Sequence, residues 1–349
     1  MDFCNVDDCI AYAKKIGATD IHIKCGEEAL CRKGGRIQKM DLWSCGYDYE
    51  PCRYSHHDIM SFLRSGNLGL SGKQLEDIEK PDFMSMDVAY PGKNIRINIF
   101  RDSDGLGMAL RILPDKIPSM DELRLPPAVR DFANCDSGLV IVSGPTGSGK
   151  TTTLASLLSN INKNQAKHII TIEDPVEYRI CSQQSLVTQR NVGIHCESFA
   201  SGLRDALRQD PDVILVGEMR DAETILTAMQ AAETGHLVFT TLHAGNTMEA
   251  IDRFSQYFPA EKNLEIRNQL ANCLHGIVAQ KLLLAAGGDK TMRVAAFEVL
   301  LTTDAIRAVI RSGKTFRLQD YMSGTRGMMT MMQSIEGLKT KHILQENHI

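Results

Sequence analysis

The sequence predicts an α/β protein with a parallel-rich core sheet, preceded by a small α+β domain. Four short apolar runs recur in the second part of the chain, and helical patterns separate them, which is the arrangement that builds a parallel sheet with helices on its faces. Near-continuous apolar strands are typical of sheets covered on both sides. In the first part of the chain the strands instead alternate polar and apolar residues, as half-buried strands do.

The composition is that of a globular chain. Of 349 residues, 43% are hydrophobic and 23% are charged, and the formal net charge is −4. These values exclude disordered, collagen-like and coiled-coil classes. The lack of a basic excess argues against a nucleic-acid partner. No apolar run reaches the about 18 residues of a membrane span, and the acidic residues 1–8 do not resemble a secretory signal. We therefore expect a cytoplasmic protein without a transmembrane segment.

The ten cysteines are scattered, and none forms a Cys-x-x-Cys pair. Reduced thiols in a chain that builds its own core are the expected reading. The remote alternative is a metal held by Cys45 and Cys52 together with His56 and His57.

The chain divides into a first domain over residues 1–113, a connection over 114–126 and a core over 127–349. Prolines interrupt the pattern throughout the connection, and such residues are typical of interdomain segments. In the first domain the spacing predicts a helix over 7–15 and a strand over 20–24.

The rest of the first domain is predicted to contain a second helix and a hairpin. The helix begins after Ser55, with apolar residues on one face. Residues 94–100 and 108–113 form the two strands, and Gly105 and Gly107 lie in the turn between them.

In the core, four buried strands and two intervening helices are predicted. One helix follows the first strand over residues 152–160. A later one begins after Asp221 and ends at Gly235. The strands occupy residues 139–142, 169–172, 213–216 and 237–240.

Between the first core strand and its helix lies the pattern G-x-x-x-x-G-K-[ST]. Its glycines let backbone N–H groups surround phosphates, Lys150 reaches the β and γ oxygens, and the Thr151 hydroxyl can ligate Mg²⁺. Thr152 opens the helix whose positive end faces the anion. The sequence therefore predicts an ATP and Mg²⁺ site. The segment consists of Gly144, Pro145, Thr146, Gly147, Ser148, Gly149, Lys150 and Thr151.

Two glutamates at strand ends are the predicted catalytic groups. Glu173 closes the second core strand, and Glu218 follows the third, two residues before Arg220. The carboxyl ends of parallel strands lie beside the phosphate loop, where one carboxylate can orient water and another can support the metal. The aspartate usual at the end of the third strand is replaced by Gly217 and Glu218.

Basic side chains form a further group of candidate site residues, and each has two alternative interpretations. His236 and His243 flank the fourth core strand, and they either sense the γ-phosphate or a neighbouring subunit or are structural. Arg96, Arg101 and Arg111 lie on the hairpin. They are either surface arginines or cationic fingers that contact a phosphate.

Taken together, the motifs resemble those of the secretion ATPase superfamily. Residues 17–22, 172–178, 207–221 and 235–243 resemble its N-terminal element, Asp box, Walker B region and His box. Within the superfamily the chain is similar to the PilT-type retraction ATPases of type IV pili. Residues 305–314 and 327–331 resemble two C-terminal elements of that branch. The extra N-terminal domain and the four-cysteine zinc element of the assembly and type II secretion branches do not occur in this sequence.

The resemblance implies a homohexamer with a PAS-like N-terminal domain and a RecA-like core. It implies that Glu173 activates water, that Glu218 supports Mg²⁺, and that Arg96 and Arg111 contact phosphate. Asp104 stands where the family often has another arginine, so Arg101 is the substitute to consider.

The function expected from this resemblance is ATP-driven pilus retraction, and hence twitching motility. The motor would act on an inner-membrane platform protein from the cytoplasmic face of the membrane, with peripheral association as an option. A DotB-like type IV or a type II secretion ATPase is the alternative within the superfamily. From a different class, a nucleotide-dependent assembly or regulatory module with little turnover also fits.

Overall fold

The computed structural model describes residues 5–41, 53–90, 93–113, 116–286, 293–322 and 327–344. The chain forms two compact units, Met1–Asp115 and Lys116–Ile349. Their boundary falls inside the segment 114–126. Cys45 and Cys52, the remote metal alternative, lie outside the described residues.

The first unit is an antiparallel sheet with three helices in its described part. The strand order is β3-β2-β1-β6-β5-β4. The elements are α1 (Val6–Ile16), β1 (Asp20–Lys24), β2 (Leu30–Lys33), β3 (Arg36–Lys39), α2 (His56–Arg64), α3 (Gly72–Glu79), β4 (Ser85–Tyr90), β5 (Ile95–Asp102) and β6 (Gly105–Ile112).

Local sequence signals account for these elements. Gly17 ends α1 with a positive φ of 70°, which glycine adopts without steric cost. Ser55 begins α2 by accepting the backbone N–H of Asp58 while the Asp58 carboxylate accepts the N–H of Ser55, a reciprocal cap. Along β5, Ile95, Ile97 and Ile99 are buried, as the alternating pattern predicts.

The predicted position of the hairpin glycines is wrong. Residues 103–104 make the turn, and Gly105 and Gly107 lie within β6. A Cβ atom on Gly107 would lie 2.5 Å from Cζ of Phe100, so this glycine makes room for the ring on the neighbouring strand. The turn is stabilised instead by Asp102, whose carboxylate accepts the backbone N–H of Asp104 and pairs with Lys24 at 2.7 Å.

The second unit is built on a sheet ordered β13-β12-β7-β11-β10-β8-β9. Within the described residues, every adjacent pair is parallel except β12 with β13. The strands are β7 (Gly138–Ser143), β8 (His168–Glu173), β9 (Leu186–Asn191), β10 (Val213–Val216), β11 (Leu237–Leu242), β12 (Leu274–Leu284) and β13 (Arg293–Leu301).

Helices cover both faces of this sheet. One apolar cluster includes Leu154, Leu157 and Phe239, and the other includes Leu203, Ile225 and Phe254. The helices are α4 (Pro127–Asp131), α5 (Lys150–Asn164), α6 (Phe199–Ala206), α7 (Ala222–Glu233), α8 (Thr247–Gln256), α9 (Asn263–Cys273), α10 (Asp304–Ser312), α11 (Leu318–Met322) and α12 (Met331–Thr340).

This architecture confirms the predicted α/β class and the four buried core strands. It adds β9, β12 and β13, which the sequence pattern did not predict. Among the helices of the described ranges, none combines the length and the apolar character that crossing a membrane requires.

The close packing around Gly276 predicts that a larger residue at this position lowers the stability of the protein. On β12, a Cβ atom at this residue would lie 2.6 Å from Cζ of Phe132 and 2.8 Å from the Leu300 carbonyl oxygen. The backbone oxygen cannot rotate away, so we expect Gly276→Ala to lower the free energy of unfolding by about 1–3 kcal/mol through overpacking.

The matched control for this substitution is Gly337→Ala. Gly337 lies in α12 with open space around it, so alanine there is expected to raise stability by about 0.5–1 kcal/mol. Urea unfolding of both variants tests the prediction, and equal stability of Gly276→Ala and the parent would contradict it.

Candidate nucleotide-binding site

The candidate site lies where four neighbouring parallel strands end. Ser143 at the end of β7 pairs with Leu242 of β11, and Val216 of β10 pairs with both Thr240 of β11 and Ile172 of β8. The residues that follow these strand ends are therefore brought to one edge of the sheet. They include the phosphate-loop segment, Glu173, Glu218 and His243.

The phosphate-loop segment is a tight loop that leads directly into α5. Gly144 and Gly149 have φ values of 152° and 88°, and a Cβ atom on Gly144 would lie 2.5 Å from the Gln280 carbonyl oxygen. No side chain caps the N-terminus of α5, so its first N–H groups and its positive dipole end are available to an anion. The loop has the geometry of a phosphate cradle.

Lys150 is nine-tenths buried in this loop. Its Nζ donates to the carbonyl oxygens of Gly144 at 2.8 Å and Pro145 at 3.1 Å. Burial lowers the pKa of the lysine, and the charges of Glu218 and Glu177 partly oppose that effect. The ammonium therefore lies beside the cradle, within reach of a bound phosphate.

The side chain of Gln280 on β12 stabilises the phosphate-loop segment through hydrogen bonds. Gln280, which is buried, donates from Nε2 to the Ser148 carbonyl oxygen at 2.7 Å and accepts from Thr153 Oγ1 at 2.8 Å. Sequence reasoning missed this residue. A glutamine in a strand that the pattern did not predict carries no local signal of such a role.

Glu173 is buried at the end of β8, with 7% of its surface exposed. Its Oε1 accepts from Thr171 Oγ1 at 2.7 Å and from Gln189 Nε2 at 3.3 Å. Burial raises the pKa of the carboxyl to about 7, and the two side-chain hydrogen bonds act in the opposite direction. At neutral pH this group can therefore both release and accept a proton.

Glu218 is held between two basic side chains. Its Oε2 accepts from Arg220 Nε at 2.8 Å, and its Oε1 lies 3.4 Å from His243 Nε2. Burial and the charge of Lys150 lower the pKa of His243. His243 is therefore mostly neutral at pH 7, and it is connected to the cleft through Glu218.

The structure separates the two histidine candidates. His243 lines the cleft, whereas His236 lies at the other end of β11, where Nδ1 is 2.9 Å from the Ala231 carbonyl oxygen at the end of α7. A role for His236 in sensing the γ-phosphate therefore has no support in this geometry.

Most of the predicted site residues of the second unit line one cleft. Thr151 and Glu218 provide oxygen atoms, which are the ligands that Mg²⁺ prefers, and the cradle suits a triphosphate. The residues fit Mg-nucleotide on these grounds. The lining consists of Thr146, Gly147, Lys150, Thr151, Leu154, Glu173, Asp174, Pro175, Glu177, Phe199, Leu215, Gly217, Glu218, Arg220, Thr241 and His243.

In the first unit, two of the three arginine candidates lie together. Arg96 and Arg111 are directly opposite on β5 and β6, and they pair with Asp87 at 2.9 Å and Asp20 at 3.0 Å. Both line one shallow pocket.

Arg101 is an odd number of residues from Arg96 along β5, so its side chain leaves the other face of the strand. It donates to the Ile78 carbonyl oxygen at 3.0 Å, next to the end of α3. Arg101 therefore lies on the other face of β5 from Arg96, and this geometry does not support it as the substitute for the missing arginine. Asp104 in the turn faces Lys24 at 3.7 Å.

Comparison with known proteins places this site in a family. The type IV pilus retraction ATPase PilT of Pseudomonas aeruginosa is 37% identical over 99% of this chain and 96% of its own length. A crystal structure of the pilus retraction motor PilT with bound ADP superimposes with a TM-score of 0.86 and 38% identity, over 99% of this chain and 95% of that one.

A second solved structure, the ATPase DotB of Legionella pneumophila, has a TM-score of 0.74 at 25% identity, over 99% of this chain and 95% of that one. The family model described as type II/IV secretion system protein matches residues 80–336. The chain therefore belongs to the type II/IV secretion system protein family, in its group of PilT-type ATPases.

Proposed function

We propose that this chain is an ATPase motor that powers retraction of type IV pili, and hence twitching motility. The observation that carries the proposal is the meeting of the phosphate cradle, Glu173 and Glu218 at one sheet edge. The similarity to PilT over 99% of the chain supports the coupling to pilus retraction.

In the proposed mechanism the cradle binds the triphosphate. The N–H groups of the phosphate-loop segment that are not donated within the protein, together with those at the start of α5, face the β-phosphate. Lys150 moves from its carbonyl partners to the β and γ oxygens. Thr152 lies in the first turn of α5. Its Oγ1 is 2.9 Å from Tyr178 Oη, and this contact connects the cradle to the segment that follows Glu173.

Glu173 is proposed to be the general base. Its carboxylate takes a proton from water as the water oxygen attacks the γ-phosphorus, and the bond to the β,γ-bridging oxygen breaks to release ADP. A base with a pKa of about 7 is suited to this role at neutral pH.

Thr151 and Glu218 are proposed to hold Mg²⁺. When bound, the ion neutralises charge on the β and γ oxygens. Arg220 and His243 orient Glu218. Through this contact His243 can respond to the charge that the γ-phosphate brings into the cleft.

The proposal extends to the whole assembly. We divide the chain into a PAS-like domain over 1–113, a connection over 114–126 and a RecA-like core over 127–349. Arg96 and Arg111 contribute cationic contacts to phosphate in a homohexameric ring. The ring acts at the cytoplasmic face of the membrane on the inner-membrane platform protein of the pilus.

A secretion ATPase of the DotB type is the second candidate. The structural likeness to DotB extends over as much of this chain as the likeness to PilT. The two candidates share the site and differ in the machine that the motor drives.

Lys150→Ala is expected to lower the rate of ATP hydrolysis at least about 10³-fold, because removing a preorganised charge on the transferred phosphoryl group costs several kcal/mol of barrier. Phosphate release by the purified protein with Mg²⁺ measures the effect. Lys163→Ala, at the exposed far end of the same helix, is the matched control and is expected to keep the parent rate. An active Lys150→Ala protein contradicts the site assignment.

Glu218→Gln is expected to raise the Mg²⁺ concentration needed for half-maximal rate and to lower kcat by about 10²-fold or more, because a charged metal ligand becomes neutral. A magnesium titration of ATP hydrolysis provides the measurement. If the variant keeps the parent's magnesium dependence, Glu218 does not support the metal.

The parent enzyme is expected to lose activity as the pH falls below about 7. The folded-state pKa of Glu173 is raised to about 7, so the base becomes protonated below that value, and kcat falls about tenfold per pH unit. Burial and the charge of Lys150 lower the pKa of His243, so its titration lies on the acid side of this limb. Glu173→Gln is expected to be slower by about 10²–10⁴-fold and to lack the limb. A parent profile that stays flat to pH 5 argues against this base.

Deleting the gene in its host separates the two candidate machines. Retraction predicts excess surface fibres that do not shorten, restored by the parent gene but not by its Lys150→Ala form. Electron microscopy of surface fibres and a twitching assay provide the readout. If the deletion leaves the surface fibres unchanged and instead causes a secretion defect, the DotB-type function is favoured.

A further inference from the structure

The loop between β8 and β9 is attached to the sheet by side chains of β9. These two strands are parallel, with Thr171 opposite Gln189 and Glu173 opposite Asn191. Side chains of all four residues consequently share one face of the sheet. The loop that leaves Glu173 crosses this face before the chain enters β9.

The oxygen and both N–H groups of the Gln189 side-chain amide form hydrogen bonds. Its Oε1 accepts the backbone N–H of Ile180 at 2.8 Å. The two N–H groups of Nε2 donate to the Tyr178 carbonyl oxygen at 2.9 Å and to Glu173 Oε1 at 3.3 Å. A backbone N–H can only donate, so the contact with Ile180 determines which end of the amide is oxygen. The donating end must therefore face Glu173.

We propose that Gln189 is a positioning residue for ATP hydrolysis: it holds the Glu173 carboxylate in its ionised, water-facing orientation and connects it to the loop at 178–180. The inference rests on the proposed role of Glu173 as the base. Thr171 supports the same oxygen from within β8. Since both side-chain donors meet at Oε1, they restrict rotation of the carboxylate about its last torsion.

Electrostatics around Glu173 agree with this role. The hydrogen bond from Gln189 favours the charged carboxylate and opposes the effect of burial on its pKa, whereas the charge of Glu177 raises that pKa and the backbone N–H of Glu177 lowers it. The charged and titratable groups that share the cleft with Glu173 are Lys150, Asp174, Glu177, Glu218, Arg220 and His243.

Gln189→Glu is the selective variant. It has nearly the same shape and keeps an oxygen for the N–H of Ile180, but it replaces the donor that faces Glu173 with an acceptor. We expect the acid limb of the kcat–pH profile to move up by about one pH unit or more, because the charged form of Glu173 loses a donor and gains a like-charged neighbour. At pH 7 kcat should fall about tenfold, with partial recovery at pH 9 and an unchanged KM for ATP.

Asn191→Ala is the matched control. Asn191 holds the same loop by accepting the Val176 N–H at 2.7 Å, and this contact does not involve the Glu173 carboxylate. If it lowers kcat by loosening the loop, the acid limb should stay at the parent pH. Gln189→Met, which removes both donor and acceptor, should move the limb in the same direction as Gln189→Glu but less far. Thermal unfolding and binding of a fluorescent ADP analogue report whether each variant is folded.

The outcomes are distinct. An acid limb that does not move in folded Gln189→Glu, or one that moves equally in Asn191→Ala, overturns the positioning role. If Glu173→Gln hydrolyses ATP at the parent rate, the proposed base itself is wrong. Loss of activity in Glu173→Gln together with an unaltered profile in Gln189→Glu leaves the base in place and removes only this inference.

Discussion

The parallel register of β7, β11, β10 and β8 is the constraint on which the candidate site depends. Because the four strands run in the same direction and are paired nearly in step, their carboxyl ends reach one edge of the sheet. The phosphate cradle, Glu173, Glu218 and His243 are far apart in sequence, and this register alone makes them neighbours. The antiparallel strand β13 is at the far side of the sheet and does not contribute to that edge.

Burial disfavours the charged forms of two ionisable groups in this cleft, and so shifts their pKa values in opposite directions. Lys150 is disfavoured as a cation and Glu173 as an anion, because each has lost most of its contact with water. The carboxylates of Glu218 and Glu177 favour the lysine cation. Glu173 relies mainly on hydrogen bonds from Thr171 and Gln189. One cleft thus holds a buried lysine and a buried carboxyl group, and Gln280 of β12 supports the phosphate loop beside them.

Much of this arrangement could be predicted from the sequence. The features that could not be predicted were missed for different physical reasons. β10 consists of four fully buried apolar residues, so its pattern is unambiguous. β9 is an edge strand, Leu186–Asn191. Its second half is polar and only Val187 packs against the core, so no apolar period marks it. The sequence pattern predicts Gly107 in a turn because glycine is common in turns, but the close approach of the Phe100 ring explains why glycine occurs at this position. Gln280 and Gln189 act through contacts made between distant parts of the chain, and a single sequence does not contain that information.

We expect ATP to bind and be hydrolysed at the carboxyl edge of the parallel sheet. A crystal structure of the full chain with Mg²⁺ and a non-hydrolysable ATP analogue tests it most directly. We expect density for the triphosphate against residues 144–151, with the ion between Thr151 and Glu218 and one water between Glu173 and the γ-phosphorus. A nucleotide bound elsewhere, or an empty cradle at saturating analogue, would contradict it.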